Sequence, residues 1–242
     1  VNDNTIILSR DFFGEKPLYY LKENTDFYFA SEIKAIASLK GSWPELNYQQ
    51  LLRYNINGYK SLYKSSETFY KNVKELKPGS FIKFQNNINF KITSLWNNDN
   101  TIDNNISYNE IVEHTRYLLI NNLEKTLRSD VPLAFCMSGG VDSNSLISIA
   151  KRKLNYNVHG FTIMNEDSRY NEEELVSYSA KELEIMHTPV HLSNKNFLKN
   201  LSDSISSHDG PLATISYYVH RELLREISSQ NYKVSISGTG AD

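Results

Sequence analysis

Cysteine is nearly missing from the 242-residue sequence; the one present, Cys136, cannot form an intramolecular disulfide and fits a reducing compartment. No apolar run approaches the roughly 20 residues that a membrane helix needs. Basic residues form no long block, and Lys+Arg 26 against Asp+Glu 28 gives a formal net charge of −2. That balance disfavours broad binding to nucleic-acid phosphates. The opening residues "VNDNTIILSRD" carry neither a basic n-region nor an apolar h-region, so no signal peptide is expected and a cytoplasmic location is. Two motifs are also lacking: the H-E-x-x-H zinc string and the Walker A spacing with its lysine. What remains is an ordinary globular composition, 40% hydrophobic and 22% charged, long enough for one large domain or two modest ones. An initiator Met is absent, and both ends read as strand-like, which suggests a fragment cut through folded structure.

The first part reads as β-rich. Thr5–Leu8, Leu18–Leu21 and Asp26–Ala30 are short apolar or aromatic runs broken by Gly14, Pro17 and "KENT". A helix is expected from about Ser31 and another over Tyr48–Tyr54. "LKPGSFIKF" then gives a Pro-Gly turn and a strand, with "NNINFKI" as its hairpin partner. The polar, aperiodic stretch 97–105 reads as a linker, separating a first domain at 1–96 from a second at 106–242.

Beyond the linker the pattern changes. Ser107 and Glu110 have capping-box spacing and open a helix. Strands are expected at Leu133–Met137, Val158–Met164, Pro189–Leu192 and Lys233–Ser237. Helices are expected at Asn144–Leu154, Glu172–Glu184, Lys195–Ser206 and Ser216–Ser229. Apolar strands alternating with helices imply an α/β fold with a parallel, doubly wound sheet covered on both faces. Ligands of such sheets sit at the carboxyl ends of strands beside a topological switch.

The stretch "LAFCMSGGVDSNSLISIA" places a glycine turn at such an end. Gly139 and Gly140 let the backbone N–H groups approach phosphate oxygens, and the following helix adds its positive dipole end. Ser138 and Ser143 can donate further hydrogen bonds. Asp142 would repel phosphate directly, which suggests a bridging Mg²⁺. Taken alone, "SGG" has a plainer alternative reading as a simple strand-to-helix turn.

The full string S-G-G-x-D-S resembles the pyrophosphate loop of the ATP pyrophosphatases (the adenine nucleotide alpha hydrolase-like fold). "RDFFGEKPLYY" and "FYFASEIKAI" resemble the end of the N-terminal-nucleophile glutaminase domain, a class II glutamine amidotransferase domain, of glutamine-dependent asparagine synthetases. "LKPGSFIKF", Trp96, "RSDVPLAFCMSGGVDS", "YNEEELVSYSAKELEIMHTPVHL" and "KVSISGTGAD" follow that family's order. The resemblance implies ATP and Mg²⁺ as cofactors, with Ser138, Gly139, Gly140, Asp142 and Ser143 on the β and γ phosphates. It implies that Asp142 and Asp242 hold the metal. Cys136, Ile163, Ser237 and Gly238 would line the adenine and ribose through their backbones. The implied reaction is adenylation of a carboxylate, aspartate by resemblance, releasing pyrophosphate. Ammonia drawn from glutamine then displaces AMP. No nucleic-acid or membrane partner is implied, and a homodimer is left open.

Three departures from the family pattern stand out. The nucleophilic cysteine and the glutamine-binding residues would lie upstream of Val1, so this chain alone is not expected to hydrolyse glutamine. Thr239 stands where the family has a glutamate, and a threonine cannot act as a base near neutral pH. Gly210 stands where relatives often have glutamate before proline. Asp209 is a candidate replacement base, set against the plainer reading of a solvated loop aspartate. These departures motivate two alternatives: an amidotransferase for another carboxylate, such as a sugar acid in surface-polysaccharide synthesis, or a non-catalytic nucleotide-binding relative. His187 and His191 straddle a strand entrance and read as structural or surface residues rather than zinc ligands. Glu172–Glu174 suits a helix start, and Glu172 matches a family acid facing the nucleotide site. Tyr217 and Tyr218 read as packing residues.

Overall fold

Residues 133–137 alternate between two apolar environments, and a covered sheet follows from that alternation. In the computed structural model, which describes residues 5–62, 64–85, 90–95, 106–165, 167, 171–193 and 195–240, β7 (Leu133–Cys136) is one of four parallel strands. With β8 (His159–Met164), β9 (Met186–His191) and β10 (Val234–Ile236) it forms a sheet in the order β10-β7-β8-β9. Leu133, Phe135 and Met137 pack with residues of α3 (Tyr108–Thr126), α4 (Val141–Ser148) and α5 (Glu173–Glu182). Ala134 and Cys136 pack instead with Leu223 and Ile227 of α7 (Ser216–Ser229). The two-residue period of a strand thus places helices on both faces. Fully buried Phe135, Phe161 and Ile147 anchor these layers, each side chain contributing about 1.5–3 kcal/mol by leaving water.

The order of strands locates a switch point. The chain steps outward from β7 to β8 to β9, then returns to pair β10 on the other side of β7. The loops leaving β7 and β10 therefore diverge from neighbouring strands, which opens a crevice at their carboxyl ends. Pro189 lies within β9, a strand expected to start at that residue but which begins at Met186. β9 is the sheet edge, where a missing N–H costs no ladder bond.

By compactness the chain divides into two units, Val1–Thr101 with Lys199–Thr214, and Ile102–Leu198 with Ile215–Asp242. The first holds two three-stranded antiparallel sheets, ordered β1-β5-β6 and β3-β2-β4. Their strands are β1 (Thr5–Ser9), β2 (Tyr19–Glu23), β3 (Asp26–Ala30), β4 (Val73–Glu75), β5 (Ser80–Gln85) and β6 (Lys91–Ser94). Tyr20 of β2 packs with Leu8, Leu76 and Ile82 between the sheets, whereas Leu21 packs with Ile33 and Ile36 of α1 (Ile33–Lys40). Gly79 turns the chain into β5 at φ +59°, after which β5 and β6 form the expected hairpin pairing. α2 spans Tyr48–Asn57, and α6 spans Phe197–Ser207. β4, three residues of mixed polarity, carried too short a pattern to be expected. The linker 97–105 and Trp96 lie outside the described residues.

α3 opens on the expected capping box: Ser107 Oγ accepts the Glu110 N–H at 3.3 Å, and Glu110 Oε2 accepts the Ser107 N–H at 2.9 Å. The Ser107 hydroxyl, donating to Glu110 Oε2 at 2.7 Å, and then the Ser107 N–H hold the Glu110 carboxyl below the ordinary carboxylate value. No described helix is long and apolar enough to cross a membrane.

Candidate active site

Gly140, in an extended conformation, caps α4, which begins at Val141 rather than near Asn144 as expected. The earlier start has a chemical consequence: Asp142 and Ser143 stand in the helix's first turn, where the dipole favours negative charge. Asn144 staples the turn to the helix, its Nδ2 donating to the carbonyls of Ser138 and Gly140 at 2.8 Å each. After Ser148 the helix continues as a single π-helical turn, Ile149–Lys153, rather than as regular α-helix.

Each amide of the glycine turn already has an oxygen partner. Ser138 N–H donates to Ser143 Oγ at 3.3 Å, Gly139 N–H to Glu172 Oε2 at 3.0 Å, and Gly140 N–H to Ser138 Oγ at 3.2 Å. Such a turn presents donors that an anion's oxygens can take over. Thr162 Oγ1 donates to Met137 O at 2.8 Å and is itself bonded to His187 Nε2 at 3.0 Å. His187 is therefore engaged in the sheet, while His191 is exposed.

The β10 loop meets the β7 loop at close quarters. A Cβ placed on Gly238 would lie 2.9 Å from the Ser143 backbone nitrogen and 3.0 Å from the Asp142 Cβ. Only a residue without a side chain lets these two backbones approach so nearly. Between the loops lies a cavity of about 340 Å³. It is lined by Cys136, Ser138, Gly140, Asp142, Ser143, Ile163, Ser237, Gly238 and Thr239, which sequence reasoning had singled out. Gly139 lines a different cavity of about 760 Å³, alongside residues of α3 and α4, and its N–H is bonded to Glu172, which lines the first. Asp242 lies outside the described residues. Val219, His220 and Leu223 of α7 also line the site. Their i, i+4 apolar pair signals a packed helix face, but no sequence cue marks them as site residues.

As the last residue of β7, Cys136 is only partly covered and lines the cavity; burial pushes its thiol up, offset in part by a hydrogen bond with Ser235. Asp209 is not the solvated loop aspartate of the plainer reading. Its carboxylate is buried, accepts the Lys34 N–H at 3.0 Å and pairs with Lys34 Nζ at 3.4 Å. Gly210 has a steric reason, since a Cβ there would meet Phe69 Cδ2 at 2.9 Å, leaving no room for a glutamate. Tyr218 is buried edge-on to Phe197, as a packing residue should be.

Asp142 fits a divalent cation in part. Among the described residues no group of three or more His, Cys, Asp or Glu could hold a metal. A magnesium ion would therefore draw most of its ligands from a bound phosphate and water, which is how Mg²⁺ is commonly held. The turn's donors, the helix dipole and one carboxylate together suit a polyphosphate–cation complex better than either component alone.

Comparisons with known proteins agree with this geometry. The Asparagine synthase model matches residues 114–242, and the Glutamine amidotransferase domain model matches residues 1–96. Over 261 residues the chain is 27% identical to "Asparagine synthetase [glutamine-hydrolyzing] 2" of Bacillus subtilis, covering 100% of this chain and 34% of that protein. It is 28% identical to "Asparagine synthetase [glutamine-hydrolyzing] 1" of the same bacterium, covering 100% and 37%. It is also 26% identical to "Amidase chyE" of Penicillium rubens, covering 100% and 37%. The chain thus spans about a third of the length of these relatives. Because the first model accounts for more than half of the chain, including both loops that frame the cavity, the chain belongs to the asparagine synthase family.

Proposed function

We propose that the full-length protein is a glutamine-hydrolysing asparagine synthetase-type ligase, with residues 1–96 ending its glutaminase domain and 106–242 beginning its ATP-using domain. The observation that carries this reading is the close approach of Gly238 to Asp142 and Ser143, two strand-end loops around one cavity at a topological switch. In this reading Ser138, Gly139, Gly140 and Ser143 bind the β and γ phosphates of ATP. The backbones of Cys136, Ile163, Ser237 and Gly238 hold the nucleoside. Asp142, with Asp242, would hold Mg²⁺, which neutralises charge on the departing pyrophosphate.

A carboxylate oxygen of the acceptor attacks the α-phosphorus, the α–β bond breaks, and pyrophosphate leaves. Ammonia then attacks the acyl carbon, gives up a proton, and AMP leaves with the bonding pair. Thr239 cannot take that proton near neutral pH, so water or a group elsewhere in the full-length protein does. Glutamine hydrolysis in the first domain supplies the ammonia. A single cysteine suits a cytoplasmic setting for this chemistry.

The test is AMP and pyrophosphate release by the full-length protein with aspartate, compared with uronic acids, using glutamine or ammonium as nitrogen source. Aspartate-dependent release of both products supports the proposal. Release with a uronic acid and none with aspartate refutes the aspartate assignment. ATP binding without pyrophosphate release for any carboxylate refutes the ligase itself.

A further inference from the structure

The phosphate turn is partly filled by the protein's own acid. Gly139 N–H donates to Glu172 Oε2 at 3.0 Å, and a Cβ on Gly139 would lie 3.0 Å from Leu175 Cδ1 and 3.5 Å from Glu172 Cβ. The start of α5 therefore rests directly on the turn. Glu172 occupies the N-cap position of α5, yet its side chain accepts no capping bond from that helix. Asn171 Oδ1 accepts the Glu173 N–H instead, at 2.8 Å. The carboxylate of Glu172 is thus directed away from the duty its position would ordinarily give it. It also lines the same cavity as Asp142, so two acids face the space that the phosphates would enter.

An amide donor cannot serve two anions at full strength. A phosphate oxygen gains the Gly139 N–H only as the Glu172 carboxylate withdraws, and the two charges repel throughout the exchange. We propose that Glu172 is a positioning residue that acts as a placeholder anion. It holds the Gly139 peptide in its phosphate-binding orientation before nucleotide arrives. It also disfavours ATP that lacks a bound cation, so the site selects the metal complex. This inference rests on the nucleotide reading above.

Titration calorimetry of the full-length protein with ATP, in EDTA and in Mg²⁺, tests it on wild type and Glu172→Gln. Removing one charge a few ångströms from the phosphates should tighten binding of metal-free ATP by about tenfold. With Mg²⁺ present, where the cation offsets that charge, the two proteins should differ much less. Amide hydrogen exchange at residues 138–140 without nucleotide gives a second readout, faster in Glu172→Ala than in wild type. Wild-type binding of Mg²⁺–ATP with no response of metal-free ATP to E172Q overturns the inference alone. So does an affinity loss confined to Mg²⁺, which would make Glu172 a metal ligand. A folded full-length wild type that fails to bind Mg²⁺–ATP overturns the nucleotide reading, and this inference with it.

Discussion

Replacing Asp209 by alanine should destabilise the first unit through the start of a helix 175 positions earlier in the chain. α1 has no side-chain cap of its own: the Glu32 side chain accepts no N–H from it, so the free N–H groups of its first turn need another partner. Asp209 provides one, taking the Lys34 N–H at 3.0 Å from a side chain only 6% exposed. Losing a helix cap costs about 1 kcal/mol, with a range of about 0.5–2. The Lys34 ammonium is 38% exposed, so its pair with Asp209 at 3.4 Å adds at most about 1 kcal/mol after screening. The expected loss is therefore about 2 kcal/mol, read by urea unfolding and by faster hydrogen exchange in α1. Lys34→Ala is the decisive companion, because it deletes the ammonium but keeps the backbone donor and thus the cap. It should cost only about 0.5 kcal/mol. The capping argument is refuted if Asp209→Ala costs less than about 0.5 kcal/mol, or if the two variants cost the same.

Gly238→Ala should push the two loops apart, because the new methyl would meet the Ser143 backbone rather than a movable side chain. A cost of about 1–3 kcal/mol and loss of ATP binding by calorimetry are expected; unchanged binding would contradict the close approach. Gly210→Ala should lower the melting temperature by crowding Phe69, and adding Phe69→Leu should restore part of it. The pH dependence follows from two histidines, His159, which is buried, and His187, which is half-buried. Burial holds His159 and His187 below the ordinary value of 6.5, with the His159 charge further disfavouring protonation at His187. The unfolded chain then binds more protons below about pH 6.5, so stability should fall as pH drops from there toward the folded values and be unaffected above about 7. Urea midpoints between pH 5 and 8 check this. His159→Gln should flatten the acid slope.

Much of the fold was legible because period and punctuation are local. Alternation in Leu133–Cys136, the Ser107–Glu110 spacing, the Pro78–Gly79 turn and the amphipathic stretch Ser216–Ser229 each express a rule that operates within a few residues. The glycine turn was legible for the same reason: its glycines, serines and acid are contiguous. Element ends were less so. α4 starts at Val141 because Gly140 takes an extended cap, and β9 reaches back to Met186 because it pairs along β8. Both depend on neighbours that no short window contains.

By itself the sequence determined the parallel α/β character of the second part, the β-rich first part and the contiguous residues of the glycine turn. Only tertiary structure decided what those residues face. It set Gly238 against Asp142, placed Glu172 on Gly139, and brought Asp209 to the start of α1. It also gave Gly210 its reason in Phe69, a residue far away in the chain. Hydrogen bonds and steric limits between distant segments act only after the chain has folded. No local pattern encodes which acid will serve a helix and which will face a ligand.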